Sequence, residues 1–350
     1  MLLIGMSGMG KSTELRKIAT AEIEAGRGLL LVDPHADLGQ EVIASVPRSR
    51  KNDLVVIDAV RPDLCPGLNP LQGANENNRA LIASYVISAV KKFAGTSWGF
   101  RSEHVLRAAL LAVLETRGPT LVDVERMLFD ESHRHWVLKQ TKDERVRRFW
   151  SVEFPGYGRM GGEAVAAPAN KIGALLAAPH VRTILTKTRP KFDARRALDM
   201  GRIVIASLPK GRIGEEVLIL GNFLLARFQQ AAMSRADADL TKRRPFTILV
   251  DEIANFAPAS LIEMLAETRK FGIRLVLACQ SISIMSPELQ AALLANAGHL
   301  CVYRVRGKDA EVLGDELLKF RAQTLTSLDV GERVERIGGR DAVLRQPRVE

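Results

Sequence analysis

The sequence predicts an α/β fold in which a mainly parallel sheet is flanked by helices and is interrupted by an all-helical insertion. Two observations lead to this prediction. Near both ends of the chain, short aliphatic runs alternate with helical patterns, which is typical of parallel strands joined by right-handed crossovers. In residues 75–200, by contrast, long helical patterns follow one another with few candidate strands. A core that is split by a helical insertion accounts for both observations.

The length and composition fit a globular protein. The chain has 350 residues, 47% of them hydrophobic, which is enough for one large core or two smaller ones. The three cysteines, Cys65, Cys279 and Cys301, are widely spaced and form no CxxC or Cys/His cluster, so the sequence predicts neither a disulfide framework nor a zinc site. We therefore expect a reducing, cytoplasmic setting. No run of about 18 apolar residues is present, so the sequence predicts no membrane span.

The first element is a short strand, Leu2-Leu3-Ile4, followed by a glycine-rich turn and a helix over residues 13–25. The turn, Gly5-Met6-Ser7-Gly8-Met9-Gly10-Lys11-Ser12-Thr13, matches G-x-x-x-x-G-K-[ST] in full. Glycines in such a turn let backbone N–H groups approach phosphate oxygens, and the N-terminus of the helix adds partial positive charge. The pattern predicts a site for ATP and Mg²⁺, whereas an ordinary glycine-rich βα turn is the alternative.

Two residues of this turn have the chemistry that phosphoryl transfer requires. Lys11 can reach the β- and γ-phosphates, so it is a candidate for both binding and catalysis, and the Ser12 hydroxyl can ligate Mg²⁺. We expect the other contacts to the nucleotide from the remaining residues of the turn: Gly5, Ser7, Gly8, Met9, Gly10 and Thr13.

Two more strands and a helix complete the first part of the core. The aliphatic run at 28–33 indicates a buried strand, because strands covered on both faces lack polar alternation, and the run at 53–58 indicates a third strand. An amphipathic helix over 38–46 lies between them. The prolines and the glycine in 64–71 predict an irregular connector.

The insertion is predicted to consist of helices. The helical patterns cover 79–93, 102–116, 121–128, 144–154 and 166–176. Ser102 and Thr120 stand where N-cap residues are expected. The glycine-rich stretch 156–162 predicts a mobile loop.

The α/β pattern resumes after the insertion. Apolar runs predict strands over 202–207, 246–252, 274–280 and 299–305, and helical patterns cover 216–235, 261–271, 287–297 and 309–318. We therefore predict three segments: a first core part over 1–74, a helical insertion over 75–200 and a second core part over 201–350.

Basic residues are concentrated in the predicted insertion. The whole chain has a net charge of +10, and residues 75–200, with 21 basic and 13 acidic side chains, account for +8 of it. The excess lies mainly in 134–148 and 182–202. A local excess of this kind predicts a polyanionic partner, whereas a solvated helical face is the alternative.

Polar side chains follow two strands of the second core part. Asp251 and Glu252 end one apolar run, and Gln280 ends the next. Ligands of open parallel sheets bind at the carboxyl ends of the strands, so adjacent strands would bring these side chains to the glycine-rich turn. Asp251 is then a candidate to hold Mg²⁺ through water, Glu252 a candidate general base, and Gln280 a candidate to orient the attacking water or to sense the γ-phosphate. A solvated strand end is the alternative for Asp251 and Glu252.

Four further segments resemble motifs of the hexameric DNA-pumping ATPases, a superfamily that includes the conjugative coupling proteins of the TraG/VirD4/TrwB group, the HerA-like helicases and the FtsK translocases. The segment 33–38 is similar to D-P-H/K-G-D/E-L, with Ala36 in place of the usual glycine. The other three segments are 207–214, 250–256 and 268–281. The resemblance covers nearly the whole chain. It implies a RecA-like P-loop NTPase core, with ATP hydrolysis that moves DNA.

The resemblance also implies how subunits cooperate. Arg269 matches the group's arginine finger, which is donated to the active site of the neighbouring subunit. A homohexameric ring with active sites at its subunit interfaces is therefore implied. Arg274 is the competing candidate for the finger. Lys210 and Arg212 would line the interface or the pore, and His35 faces the nucleotide or the pore unless its role is structural.

The sequence thus favours an ATP-driven DNA translocase of the conjugative coupling type, with DNA, relaxase and secretion-channel proteins as partners. A HerA-like helicase in repair or defence is the alternative within the enzyme class. A non-hydrolysing, nucleotide-gated scaffold is the alternative outside it. The first strand has only three or four residues, fewer than usual, so we expect the protein to extend before Met1. A membrane anchor there would hold the ATPase at the inner face of the bacterial membrane.

Overall fold

One nine-stranded sheet organises the part of the chain that the computed structural model describes, which is residues 1–92, 98–188, 190–256, 259–317, 320–338 and 340–345. The strands are β1 Leu2–Ile4, β2 Gly28–Asp33, β3 Leu54–Asp58, β4 Ile203–Ser207, β5 Phe246–Val250, β6 Ile273–Cys279, β7 His299–Val302, β8 Glu332–Ile337 and β9 Arg340–Arg345. Their order across the sheet is β3-β4-β2-β5-β6-β1-β7-β8-β9.

The pairing is parallel in the centre of the sheet and antiparallel at one edge. β1 lies between β6 and β7, and β5 lies between β2 and β6, with every pair parallel. β8 pairs with β7 and β9 with β8, both antiparallel. The predicted α/β class with a mainly parallel sheet is therefore confirmed. Strands β2, β4 and β5 are buried along their whole length, as their aliphatic sequences predict.

Helices connect the strands. Those in the described ranges are α1 Lys11–Glu24, α2 Asp37–Ser45, α3 Arg79–Lys92, α4 Phe100–Val113, α5 Leu121–Phe129, α6 Glu131–Gln140, α7 Glu144–Arg148, α8 Arg159–Ala177, α9 Pro179–Leu185, α10 Ala194–Met200, α11 Lys210–Ile213, α12 Leu218–Ser234, α13 Ala259–Glu267, α14 Pro287–Asn296, α15 Lys308–Glu316 and α16 Ala322–Ser327. None of these helices has an apolar stretch long enough to cross a bilayer. The predicted helix ends at Phe93 and Leu318 fall outside the described residues.

The chain forms two compact units. The first unit comprises Met1–Val56, Asp193–Pro209 and Phe228–Glu350 and holds most of the sheet. The second unit comprises Ile57–Phe192 and Lys210–Arg227 and is mainly helical. The boundaries predicted from the sequence, near residues 75 and 200, stay predictions.

Each unit has its own core. In the first unit, Leu15, Ala19 and Ile23 recur every four residues along α1, so they share one helical face. This face packs into the same buried cluster as Leu29 and Leu31 of β2. In the second unit, α4 packs against α3, α5 and α8, and its buried face is the one that the helical period predicts.

The helix starts in the second unit partly differ from the prediction. The predicted N-cap at Ser102 is wrong, because Gly99 is the N-cap of α4 and Ser102 is buried in the first turn. Thr120 is confirmed as the N-cap of α5. Its backbone N–H donates to the carboxylate of Asp123 over 2.8 Å, which completes a capping box.

The stretch between α5 and α9 is more helical than predicted. Helix α6 was not predicted, because its sequence shows no apolar period; the Asp130 carboxylate caps it by accepting from the N–H of His133 over 2.9 Å. The helix predicted over 144–154 is α7 followed by a π-helical turn at Phe149–Glu153, which buries the adjacent Phe149 and Trp150 together. The mobile loop predicted at 156–162 is wrong in its second half, because α8 begins at Arg159 and packing outweighs the low helix propensity of glycine.

Candidate functional site

The strand order brings the three polar strand ends together. β6 lies between β1 and β5, and all three strands are parallel. Their carboxyl ends therefore meet at one edge of the sheet. The glycine-rich turn follows β1, Asp251 and Glu252 follow β5, and Gln280 follows β6. The strand adjacency on which the sequence argument depended is present in the structure.

The glycine-rich turn owes its shape to two left-handed glycines. Gly8 has a φ of 76° and Gly10 a φ of 106°, a region that residues with a Cβ atom rarely adopt. Gly10 is also the N-cap of α1, so the turn leads directly into the helix N-terminus. The backbone N–H groups of the turn and the positive end of α1 thus face the same space, which is the arrangement that binds phosphate.

Two of the eight residues predicted to contact a nucleotide lie beneath the turn. Met9 is 1% exposed and belongs to the core under α1. Gly5 is buried against the residues that follow β7, where an added Cβ would lie only 2.5 Å from the Cβ of Tyr303. Both residues anchor the turn to the sheet, and the other six line the cleft above it: Ser7, Gly8, Gly10, Lys11, Ser12 and Thr13.

Lys11 is a buried cation in the turn itself. Its Nζ donates to the backbone carbonyls of Gly5 over 2.6 Å and Met6 over 3.0 Å. Burial lowers the pKa of the Lys11 ammonium, and the carboxylates of Glu252 and Asp251 oppose this shift. Among the described residues, no carboxylate lies within ion-pair distance of this partly desolvated ammonium. Lys11 is therefore well placed to exchange the two carbonyls for phosphate oxygens.

Asp251 is a buried carboxyl at the base of the cleft. Its side chain is 6% exposed, and burial raises its pKa from 3.8 to about 6, with further contributions from Glu252 and Asp33. Its Oδ1 accepts a hydrogen bond from the backbone N–H of Glu252 over 3.0 Å. A carboxylate that is destabilised in this way gains from a nearby dication, which suits a Mg²⁺ ligand.

Glu252 has a strained backbone and a positioned side chain. Its φ of 50° and ψ of 55° are left-handed, which costs a non-glycine residue about 1–2 kcal/mol. The Nε2 of Gln280 donates to its Oε1 over 2.6 Å. The turn after β5 therefore directs the carboxylate of Glu252 towards the end of β6, where Gln280 holds it.

Asp33, at the end of β2, is a second buried carboxylate near the cleft. It is fully buried, and its two oxygens accept from the backbone N–H groups of His35 and Gly39, both over 2.8 Å. These bonds shape the loop in which Ala36 takes a left-handed φ of 78°. The motif that segment 33–38 resembles has glycine at the position of Ala36. This chain therefore carries alanine where the backbone conformation favours glycine.

One cleft of about 730 Å³ is lined by six residues of the turn, together with Asp251, Glu252 and Gln280. His35 also lines this cleft. Its role, functional or structural, could not be decided from the sequence. Another wall consists of Asp329, Val330 and Gly331, between α16 and β8, which were not predicted from the sequence. No motif marks these three residues. Only the return of the chain to the sheet edge brings them to the cleft.

Arg269 and Arg274 do not reach this cleft. Arg269 is exposed in the turn before β6, and Arg274 lies near the start of that strand. Gln280 follows the opposite end of β6, and the seven residues of this strand span about 20 Å. The structure thus brings together Lys11, Ser12, Asp251, Glu252 and Gln280 and leaves both arginines at the other end of the sheet.

Several arginines of the basic segments 134–148 and 182–202 make contacts that stabilise the fold. In the second unit, Arg134 donates to two backbone carbonyls and stacks on an indole ring. In the first unit, Arg195 and Arg202 form ion pairs with neighbouring aspartates. These arginines therefore stabilise the fold, a role that neither a polyanionic partner nor a solvated helical face describes, whereas Lys142 and Arg145 are exposed.

Comparison with solved structures shows a shared fold. The bacterial conjugative coupling protein TrwB in an unbound form has a TM-score of 0.74 at 17% identity, over 99% of this chain and 84% of that one. TrwB in complex with ADP and Mg²⁺ has a TM-score of 0.73 at 18% identity, over 98% and 84%. VirB4 of Thermoanaerobacter pseudethanolicus has a TM-score of 0.68 at 16% identity, over 98% and 88%.

No family model and no curated protein matches the chain. The structural likeness confirms the predicted P-loop NTPase fold, and it confirms the resemblance to the coupling-protein group at the level of the fold.

Replacing Asp251 by Asn should stabilise the nucleotide-free protein at neutral pH. The pKa of Asp251 is higher in the folded state, so folding binds a proton between about pH 4 and pH 6, and the ionised carboxylate costs stability above that range. The Asn variant should gain up to roughly 3 kcal/mol at about pH 7.5, and the gain should fade as the pH falls towards 4. Urea unfolding at several pH values measures this difference. Asp329→Asn, an exposed change in the same cleft, is the control, and an Asp251→Asn variant no more stable than wild type at about pH 7.5 would contradict the expectation.

Proposed function

We propose that this chain is an ATPase that drives the translocation of DNA, in the manner of a conjugative coupling protein. The observation that carries the proposal is the meeting of Lys11, Asp251, Glu252 and Gln280 in one cleft above a complete phosphate-binding turn. The fold likeness to TrwB supports the ligand class, because TrwB has been solved with ADP and Mg²⁺ and with non-hydrolysable analogues of ATP and GTP.

The residues of the cleft fit a nucleotide with Mg²⁺. A volume of about 730 Å³ is within the usual range for a small-molecule site. The Ser12 hydroxyl and, through water, the Asp251 carboxylate would hold Mg²⁺, which when bound neutralises charge on the phosphates. Lys11 supplies a further positive charge from the turn, and the backbone N–H groups around Gly8 and Gly10 are open to phosphate oxygens.

Glu252 is the proposed general base, and Gln280 is its positioning partner. A carboxylate can accept the proton of an attacking water, provided that its oxygen points to the reacting centre. The bond from Gln280 Nε2 to Glu252 Oε1 restricts this orientation. A primary amide has two N–H donors, so Gln280 can hold Glu252 with one and offer the other to the attacking water or the γ-phosphate.

Arg269 is proposed to act in the site of a neighbouring subunit. It is exposed and lies about 20 Å along β6 from the cleft of its own chain, which supports a role in trans. We propose a homohexameric ring in which each cleft is completed by Arg269 of the next subunit. DNA, relaxase and secretion-channel proteins are the proposed partners, and the cytoplasmic face of the bacterial membrane is the proposed location.

Glu252→Gln should abolish ATP turnover and spare ATP binding. The amide keeps the size of the side chain but cannot accept the proton of water, so the turnover number should fall about a hundredfold or more. Phosphate release measures turnover, and a fluorescent ATP analogue measures binding. Glu311→Gln, an exposed change on α15, should leave both unchanged. Normal turnover by Glu252→Gln would show that another group is the base.

Arg269→Ala and Lys11→Ala should each be inactive, and mixing them should restore hydrolysis. In a mixed ring, a Lys11→Ala subunit still donates Arg269 to an Arg269→Ala subunit whose own turn is intact. At equal proportions, about a quarter of the sites should be complete in such a ring. Lys270→Ala, the adjacent exposed change, should remain active alone. Failure of the mixture to recover activity would place the finger elsewhere, and Arg274→Ala would be the next variant to mix.

DNA should stimulate ATP hydrolysis, and added salt should weaken the stimulation, because phosphate contacts release counterions. Replacing both Lys142 and Arg145 by Ala should raise the DNA concentration needed for half-maximal stimulation and reduce its salt dependence. The matched control replaces Arg48 and Lys242, two exposed basic residues of the first unit. A hydrolysis rate that does not respond to DNA would favour the nucleotide-gated scaffold.

A further inference from the structure

A second cluster of ligand-type side chains lies at the antiparallel edge of the sheet, away from the phosphate-binding turn. Cys301 of β7 pairs directly with Glu335 of β8. His299 precedes Cys301 by two residues on the same strand, so the three side chains share one face of the sheet. Cys301 is fully buried and Glu335 is 5% exposed, while the His299 side chain is 27% exposed.

The contacts converge on a single ring nitrogen. Nε2 of His299 lies 3.0 Å from Oε2 of Glu335 and 3.2 Å from Sγ of Cys301. If Nε2 carries a proton, it donates to the carboxylate and cannot accept from the thiol. If Nε2 is bare, it accepts from the thiol and faces the carboxylate with its lone pair. In either protonation state the three atoms face one small space, where a cation would have the imidazole nitrogen, the sulfur and the carboxylate oxygen as ligands at once.

Contrary to the expectation from the cysteine spacing, we infer that His299, Cys301 and Glu335 form a binding site for a thiophilic divalent cation, with Zn²⁺ as the ion that best fits the ligand set. Imidazole nitrogen, thiolate sulfur and carboxylate oxygen are the three ligand types that Zn²⁺ takes in proteins. The three candidate ligand atoms lie within 4.8 Å of one another. Tetrahedral Zn²⁺ would place its ligand atoms roughly 3.3–3.6 Å apart, so small side-chain shifts suffice. The fourth position would be open beside the partly exposed imidazole.

The surroundings of Glu335 resemble those of a metal-bound carboxylate. The Arg333 guanidinium donates to Oε1 of Glu335, which leaves Oε2 directed at His299. Partners of this kind orient the ligands of metal sites. Arg333 also donates to Oε2 of Glu14 on α1 over 3.3 Å. Glu14, Arg333 and Glu335 together carry one surplus negative charge, so a dication with a thiolate ligand brings these groups to neutrality.

Binding would replace the thiol proton of Cys301 by the metal ion and release that proton to water. Burial raises the pKa of the Cys301 thiol, and the Glu335 carboxylate adds to this shift. The observed affinity would therefore include the cost of removing the proton. Through Arg333 and Glu14 the site is connected to α1, the helix that starts at the phosphate-binding turn. It shares no residue with the cleft.

Titration of the metal-free full chain with Co²⁺ alone tests the site, because cobalt bound to a thiolate absorbs in the near ultraviolet. We expect this absorption in the wild type and in Cys65→Ser, and its loss in Cys301→Ser. Zn²⁺ should displace the cobalt and should raise the melting temperature of the wild type but not of Cys301→Ser. Absence of the band in the wild type, or its persistence in Cys301→Ser, would overturn the assignment.

Two variants that keep the cysteine guard against a folding defect in Cys301→Ser. His299→Gln and Glu335→Gln each remove one ligand and should weaken Co²⁺ binding by about tenfold or more, as changes around metal sites do. Circular dichroism without metal establishes that each variant is folded. If both folded variants bind Co²⁺ with wild-type affinity, the ion binds elsewhere and the site is refuted.

Discussion

The backbone pairing of β1 with a neighbour on each side is the constraint on which the candidate site depends. The strand has only three residues, and the turn after it continues the hydrogen bonding of both neighbours. Gly5 N–H donates to the carbonyl of Cys279 over 3.2 Å, and Met6 N–H donates to that of Arg304 over 2.9 Å. The start of the phosphate-binding turn is therefore held in register with the end of β6. Its position relative to Gln280 follows from main-chain geometry and not from flexible side chains.

In and near the cleft, three carboxyl groups surround a single ammonium group. Asp33, Asp251 and Glu252 contribute carboxylates, and Lys11 contributes one ammonium. Asp33 is stabilised by two backbone N–H groups, whereas burial raises the pKa of Asp251 and lowers that of Lys11. The cleft thus holds both an acid and a base whose charged forms are disfavoured. Perturbed pKa values of this kind cluster at functional sites, and under the proposed function Mg²⁺ beside Asp251 and phosphate beside Lys11 would supply the opposite charges.

Much of the fold could be predicted because its signals are local. The aliphatic runs of β2 and β5 have no polar alternation, and the apolar period of α4 marks the face that the structure buries. The failures also have physical reasons. Helix α6 lacks an apolar period and depends on the cap at Asp130, and the first turn of α8 contains glycines that only packing makes helical. Charge counts could not distinguish arginines that carry structure, such as Arg134, from those exposed to a partner.

The sequence by itself determined the chemistry of the cleft, because the spacing of Gly5, Gly10, Lys11 and Ser12 and the Asp-Glu pair after a buried strand lie within short segments. Only the tertiary structure decided which of these segments meet. The order β5-β6-β1 places Gln280 against Glu252 although 28 residues separate them, and the return of the chain before β8 adds a wall that no motif marks. The convergence of Cys301 and Glu335 is likewise a product of pairing between distant parts of the chain. Pairing of this kind depends on the whole sheet, and a linear pattern carries no information about it.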